Sequence, residues 1–275
     1  MKPIDFQQLV WNFYEEHGRS DLPWRQTDDG YAIYISEIML QQTQASRVVP
    51  KYKDWLKDLP DFQSVASAPT KEILLHWQGL GYNRRALYIK ETCHKVMDTY
   101  DGRLPQSEKE LLDLPGVGPY TTGALQAFVY NLPVVFIETN IRTVFIHHFF
   151  PGKDNVTDAE IKEVVAETLP EDKAKKWYWA LMDYGSHLKK TVGNLNKKSK
   201  SYQKQSTFSG SNRQLRAALT RYILEHEPAT MKDMEQEFSK LINKNERMES
   251  LKHNLKQLED EGFLRQTGST YQTTD

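Results

Sequence analysis

The chain has 275 residues, 39% hydrophobic and 27% charged. That balance excludes a disordered polymer, and no apolar run approaches the ~18 residues a spanning helix needs. The net charge of −1 conceals a stretch, residues 184–224, that holds nine Lys or Arg and no acid, so the rest of the chain sums to −10. The length allows two domains at roughly 100–200 residues each. Met1-Lys2-Pro3-Ile4-Asp5-Phe6 has no apolar signal region, so a cytoplasmic protein without membrane partners is expected. The single cysteine, Cys93, rules out an intrachain disulfide, a cysteine-based zinc site and a four-cysteine iron–sulfur cluster.

The first ~187 residues read as successive helices. Asp5 is expected to cap a helix with Phe6, Leu9, Val10 and Phe13 on one face, ending at Gly18. A second helix is expected over Ala32 to Gln42, and a third carries Val48, Val49, Tyr52, Trp55 and Leu56. Cys93 falls on the stripe Ala86, Ile89, Cys93, Val96, Met97 and Tyr100, which makes it a core thiol rather than a nucleophile. Ser107-x-x-Glu110 and Thr157-x-x-Glu160 have the spacing of capping boxes. The stretch 174–187 places Trp177, Trp179, Ala180 and Leu181 in a further helix. His147 and His148 are adjacent, so a shared metal site is not expected of them; they read as core or DNA-backbone residues.

Residues 188–212 break the helical pattern and are rich in Lys, Ser, Asn, Gln and Gly. They read as a basic linker or irregular wrap, and the charge suits a polyanion; a merely solvated linker would look the same. After it, Leu215, Leu219, Tyr222 and Ile223 mark one helix. Met231, Met234, Phe238 and Leu241 mark a second, and Met248, Leu251, Leu255 and Leu258 a third that stops at Gly262. Phe263 to Gln272 reads as two short strands around a turn. This is the order of a winged helix-turn-helix, although a small packing domain would share it.

Leu114-Pro115-Gly116-Val117-Gly118-Pro119-Tyr120 lies between two helical patterns. Glycines permit a tight hairpin, and Pro119 suits a first helical turn. The N–H groups that open the following helix make an anion site fit for a phosphate. Together with the acid at 138, with Ser36-Glu37-Ile38-Met39-Leu40-Gln41-Gln42-Thr43-Gln44 and with Gly79-Leu80-Gly81-Tyr82, the hairpin resembles the helix-hairpin-helix DNA glycosylases. The resemblance is greatest to the MutY-type adenine glycosylases and runs from Leu22-Pro23-Trp24 to Met182-Asp183-Tyr184-Gly185.

The resemblance implies a role for each matching residue. Glu37 is the acid that protonates the leaving base and helps activate water. Tyr120 stands where bifunctional relatives carry a lysine nucleophile, which implies a monofunctional hydrolase. Asn140 is an active-site asparagine beside the essential acid, Glu138. Gln42, flanked by Gln41 and Thr43, enters the base stack, and Tyr82 wedges beside the base opposite the target. Gly116, Val117 and Gly118 hold a phosphate. The chemistry agrees: breaking an N-glycosidic bond needs one carboxylic acid for the base and one carboxylate facing the oxocarbenium ion. Glu37 lies among Ile35, Ile38, Met39 and Leu40, so burial is expected to keep it protonatable.

Three features depart from the family. Its essential aspartate is Glu138 here, one methylene longer, in Glu138-Thr139-Asn140-Ile141; a helix-cap role is the alternative for this residue. The cysteines of its iron–sulfur loop are replaced after Tyr184-Gly185 by a lysine-rich stretch, in which Lys197, Lys198 and Lys200 are expected to contact phosphates without a metal or other cofactor. A winged-helix-like tail stands in place of its larger C-terminal domain.

The expected architecture is therefore mainly α, with a glycosylase domain over 1–187, a basic linker over 188–212 and a winged-helix-like domain over 213–275. The expected protein is a nucleoid-associated monomer acting on double-stranded DNA with a mispaired or oxidised base. It hydrolyses the N-glycosidic bond of adenine opposite guanine or 8-oxoguanine. A thymine/uracil mismatch glycosylase of the same fold, or a non-catalytic DNA-binding protein, are the alternatives.

Overall fold

In the structure, a computed structural model, residues 1–204, 211–240 and 247–274 are described. Helix α1 (Pro3–His17) opens on a proline at its first turn, with Lys2 as N-cap. Asp5 is thus not the cap but a first-turn acid, where its charge still suits the helix dipole. Helix α2 (Gly30–Leu40) starts earlier than its apolar pattern because the Asp29 carboxylate accepts from the Tyr31 and Ala32 N–H groups, both at 3.2 Å. It stops two residues short of Gln42, whose φ of 55° is left-handed and cannot continue a helix. Every residue from Tyr31 to Met39 is buried, as befits a helix apolar on all sides.

Helices α3 (Ala45–Asp58), α4 (Phe62–Ser67), α5 (Thr70–Trp77) and α6 (Arg84–Thr99) follow, then α7 (Glu108–Leu112), α8 (Pro119–Tyr130), α9 (Thr139–Phe149), α10 (Asp158–Thr168) and α11 (Ala174–Thr191). Thr157 and Glu160 close the expected capping box of α10. At α7 the Ser107 hydroxyl accepts from the Glu110 N–H and itself bonds the Glu110 carboxylate.

Backbone packing divides the chain into two compact units. One joins Met1–Glu37 to Leu104–Lys204, and the other joins Ile38–Arg103 to the described residues beyond Lys204. In the first unit α9 packs on α11, with α1 across α11 and α10 against α9. A Cβ on Gly185 would lie 2.1 Å from the Asn140 carbonyl oxygen, so only glycine lets α11 approach the start of α9 this closely. Trp177 is fully buried, with Phe6 and Trp11 at ring-centroid distances of 5.9 and 5.3 Å; large side chains like these contribute ~1.5–3 kcal/mol each on burial.

In the same unit, Asp183, buried, accepts from Arg19 Nε at 2.7 Å and from Arg25 Nη1 at 2.7 Å. Burial pushes the Asp183 carboxyl up, but the bonds and charges of Arg25 and Arg19 outweigh that and hold it below its ordinary value. The two ends of the stretch that resembles the glycosylases, 22–25 and 182–185, are thereby bonded to each other.

The segment expected as linker is part of this unit as far as Lys204. Helix α11 runs on to Thr191, and a 3-10 turn, Leu195–Lys198, packs on α9. Buried Asn196 donates through Nδ2 to the Thr139 carbonyl at 3.1 Å and to Thr143 Oγ1 at 2.8 Å. Val156 and Ser199 form a parallel bridge. Residues 205–210 of the expected linker, and Leu241, lie outside the described residues.

The second unit centres on Trp55 and Trp77, edge to face at 6.0 Å, with Cys93 fully buried on α6 and its thiol pushed up by burial. Helices α12 (Asn212–His226), α13 (Met231–Glu237) and α14 (Arg247–Asp260) and strands β2 (Leu264–Thr267) and β3 (Thr270–Thr273) realise the expected order of the tail. Strand β1 (Ala229–Thr230) was not anticipated; it makes the sheet three-stranded and antiparallel, in the order β1-β3-β2. Helix α12 lies against α5. Glu227 bonds Lys71 Nζ at 2.7 Å and accepts from the Thr273 N–H at 2.7 Å. The protein is thus mainly α-helical with a small C-terminal sheet, and among the described residues no helix is long and apolar enough to cross a membrane.

Candidate active site

Glu37 sits mid-helix on α2, 5% exposed. Tyr120, second residue of α8, donates its hydroxyl to Glu37 Oε2 at 3.1 Å. The tyrosine ring is fixed by Phe136 at 5.9 Å, and Phe136 reaches that place because α8 has a glycine there: a Cβ on Gly123 would lie 2.6 Å from the Phe136 Cβ. Burial pushes the Glu37 carboxyl up to about 7; the Tyr120 bond opposes this, the Glu138 charge adds to it and Arg25 draws it back. Burial, with the Glu37 and Glu138 charges, raises Tyr120 well above its ordinary value, so it remains a phenol and a donor.

Glu138 is the N-cap of α9. It accepts from the N–H groups of Asn140 at 2.6 Å and Ile141 at 3.0 Å, and from Asn140 Nδ2 at 3.3 Å. The methylene that lengthens it relative to aspartate is taken up by turning the carboxylate back onto the first turn of its own helix. The cap and a charge-stabilising role are compatible, because three donors hold the group in one place. Burial nevertheless leaves its carboxyl above the ordinary value. The cluster therefore offers one carboxyl that keeps a proton near neutrality, a second acid oriented by a helix terminus, and a phenol between their fields.

In the hairpin only Gly116 has a left-handed φ, 73°. Gly118, the N-cap of α8, is extended at φ −96° and ψ 179°. The turn therefore needs glycine at 116 alone. A Cβ on Gly118 would meet none of the described residues beyond its chain neighbours within 4 Å, which leaves room for close approach from outside. Val117 is buried and anchors the loop. Lys197, exposed, and Lys198, half-buried, lie on the turn that Asn196 pins to α9, and Lys200, exposed, lies two residues beyond it.

The second unit gathers Gln41, Gln42, Thr43 and Tyr82. Exposed Gln42 and Tyr82 both have left-handed φ, 55° and 47°. Their two loops are tied by a residue the sequence reading missed, buried Arg85. Its Nη1 donates to the carbonyls of Ile38 at 2.7 Å, Met39 at 3.1 Å and Gln41 at 2.7 Å; Nη2 donates to Thr43 Oγ1 at 3.2 Å and to the carbonyls of Leu80 at 3.2 Å and Gly81 at 2.9 Å. Burial lowers the guanidinium to about 10. Its sequence signal was a charge in register with Ile89, Cys93 and Val96 on the buried face of α6. Asp183, Gly185 and Asn196 were missed as well.

His148 lies 2.9 Å from the Tyr184 hydroxyl and edge-on to Phe6, and burial pushes it down to about 4. It is half-buried against the aromatic side chains of the first unit. Among the described residues no group of three or more His, Cys, Asp and Glu is placed to hold a metal. The family's iron–sulfur cluster does not fit this donor set: the one thiol is buried on α6, and the segment after Gly185 offers amides and lysines.

Residues 35–244 match the HhH-GPD family, described as "HhH-GPD superfamily base excision DNA repair protein". The adenine DNA glycosylase of Buchnera aphidicola subsp. Baizongia pistaciae is 34% identical over 190 residues, 68% of this chain and 53% of that protein. The chain spans about half the length of such curated relatives. The thymine/uracil-DNA glycosylase of Methanothermobacter thermautotrophicus is 34% identical over 61% of this chain and 77% of that protein. A solved thermostable thymine-DNA glycosylase superposes with a TM-score of 0.60 at 30% identity, covering 67% of this chain and 86% of that one. The hairpin, the acid on α2 and the acid at the start of α9 all fall within the matched stretch, and the chain belongs to the HhH-GPD superfamily of base excision DNA repair proteins.

Proposed function

We propose that the protein is a monofunctional DNA N-glycosylase that removes adenine mispaired with guanine or 8-oxoguanine. The observation that carries the reading is Glu37, a carboxyl held protonated near neutrality and bonded to a phenol where a Schiff-base enzyme would need an amine. The target nucleotide leaves the stack to reach it. Glu37 delivers its proton to a ring nitrogen of the base as the C1′–N bond breaks, the Glu138 carboxylate faces the oxocarbenium ion, and water adds at C1′ while its proton passes to the Glu37 carboxylate. The base leaves neutral, and the sugar remains as an abasic site in an intact strand. Asn140 holds Glu138 in place. The hairpin at Gly116, Val117 and Gly118 and the lysines 197, 198 and 200 take phosphates; Gln42 enters the stack, and Tyr82 wedges beside the opposite base. No metal is needed for these steps, and the working form is a cytoplasmic monomer on double-stranded DNA.

Kinship with adenine glycosylases over 190 residues supports adenine as the base. Thymine or uracil is the second reading, favoured by the larger share of the thymine/uracil enzyme that the chain spans. A panel of duplexes carrying each mispair, treated with alkali and run on denaturing gels, tests both. Adenine-strand scission after alkali alone is expected. Release of thymine or uracil with adenine untouched selects the second reading, and tight binding without release from any mispair selects a non-catalytic DNA-binding protein.

A further inference from the structure

We propose that Arg213, in the first turn of α12, is a positioning residue for Tyr82, so that the C-terminal module takes part in reading the base opposite the excised one. The inference rests on the glycosylase reading above. Within the second unit, the loop around Gln42, the loop 79–83 and α12 line one groove of about 1480 Å³, into which Arg84 and Arg221 also face. Two of its walls carry non-glycine residues in left-handed backbone, Gln42 and Tyr82, a conformation that persists only where surrounding contacts impose it.

The loop that presents Tyr82 is permissive by composition. Gly79 and Gly81 have φ of 90° and 73°, and the tyrosine is 39% exposed. Packing alone therefore does not fix its ring. Two guanidiniums do. Arg85 lies 5.7 Å from the ring centroid and also holds the Gly81 carbonyl, which sets the backbone. Arg213 lies 5.5 Å from the same centroid and donates from Nη1 to the Tyr82 hydroxyl at 2.6 Å, which sets the far end of the ring. Helix α12 is held in turn against α5, and Lys71 of α5 is bonded to Glu227 just beyond α12. The C-terminal module is thus a buttress: it fixes Tyr82, the residue proposed to sense the opposite base. An enzyme with a free Tyr82 ring would tolerate more partners opposite the target.

The test uses the full chain and duplexes carrying a fluorescent guanine analogue opposite the target adenine, bound at saturation. Wild type is expected to brighten the analogue as it is unstacked. Arg213→Ala should lose at least half of that increment, and Arg213→Lys, which keeps the charge without the planar fork, should recover part of it. Tyr82→Leu, which removes both contacts, should lose at least as much, and Arg213→Ala added to Tyr82→Leu should cost little more. In parallel, the ratio of single-turnover rates for adenine opposite 8-oxoguanine over adenine opposite cytosine should fall about 5- to 10-fold in Arg213→Ala, as expected for one cation–π contact and one hydrogen bond. Unaltered brightening in Arg213→Ala, fully additive losses in the double variant, or a wild type that leaves the analogue stacked would each overturn the proposal. The fluorescence arm needs no chemistry, so a wild type that unstacks the analogue but releases no base defeats the glycosylase reading and leaves the coupling of Arg213 to Tyr82 decided on its own.

Discussion

Each unit removes one charged group of its site from water, Glu37 in the first and Arg85 in the second, and surrounds it differently. In the first, Glu37 is removed from water with one phenolic hydroxyl bonded to it, and its carboxyl rises to about 7. In the second, both terminal nitrogens of Arg85 are shared among five carbonyls and one hydroxyl, none of them charged. Desolvation alone disfavours a charge, and only hydrogen bonds restore it. Burial moves the two about equally far, Glu37 from 4.5 to about 7 and Arg85 from 12.5 to about 10; Glu37 therefore exchanges a proton at working pH, whereas Arg85 stays a cation that holds two loops. The difference separates a group kept for chemistry from one kept for shape.

The sharpest break in this contrast is Glu138, which belongs to both kinds: half-buried with a raised carboxyl, yet bonded by three donors. Glu138→Gln keeps most of the cap and removes the charge. If the carboxylate faces the transition state, single-turnover base release should drop by ~10²–10³ with duplex affinity nearly intact. A wild-type rate in this variant would leave Glu138 a cap only. Glu138→Asp refines the point, because the shorter acid at the same N-cap should be slower by ~10² if the site is built around glutamate.

Next in size is Arg85→Met, which keeps the volume and strips the donors. Several buried carbonyls would be left unpaired at ~1–3 kcal/mol each before relaxation, so a loss of about 3 kcal/mol in urea unfolding is expected. Binding should weaken alongside, because the loops at 42 and 82 would come loose. Full stability in Arg85→Met would mean that the six bonds are incidental.

Glu37 should do the reverse. Its carboxyl is raised from an ordinary 4.5 to about 7, so the fold binds this proton more tightly than the unfolded chain does. The stability it lends is complete below about 4.5 and is lost as pH rises through about 7. Glu37→Gln should therefore be inactive yet more stable than wild type by about 2 kcal/mol at pH 8, with the gain vanishing at pH 4. Urea unfolding at the two pH values checks it, and equal stability at pH 8 would mean that Glu37 carries no penalty.

How much of this could be read beforehand follows the same division. The burial of Glu37 was legible because its neighbours along α2 are apolar on all sides, and the Thr157–Glu160 box because its chemistry is local; the role assigned to Glu37 came from the resemblance alone. The tail was legible in order but lacked β1, since two residues, Ala229 and Thr230, carry no alternation. Arg85 and Asn196 were not legible. Their partners lie from 4 to 57 residues away in the chain, and nothing in a lysine-rich stretch distinguishes an asparagine that pins a turn from one that faces water. Gly118 misled for a related reason: a glycine is written identically whether backbone angle or outside clearance demands it.

The smallest expected effect falls where Arg85 does its holding. Arg85 bonds the Gln41 carbonyl directly before Gln42, whose φ is 55°, and a left-handed non-glycine residue costs ~1–2 kcal/mol. Gln42→Gly removes that strain and adds ~0.5–1 kcal/mol of backbone entropy to be lost on folding, for a net gain in stability of about 0.5 kcal/mol. The same variant loses the side chain meant to enter the stack, so its affinity for mispaired duplex should fall while the fold improves slightly. Opposite signs in urea unfolding and in duplex titration would mark position 42 as strain held for function by Arg85. A variant less stable than wild type would mean that the left-handed backbone at Gln42 is relaxed, and that Arg85 holds the two loops without forcing either.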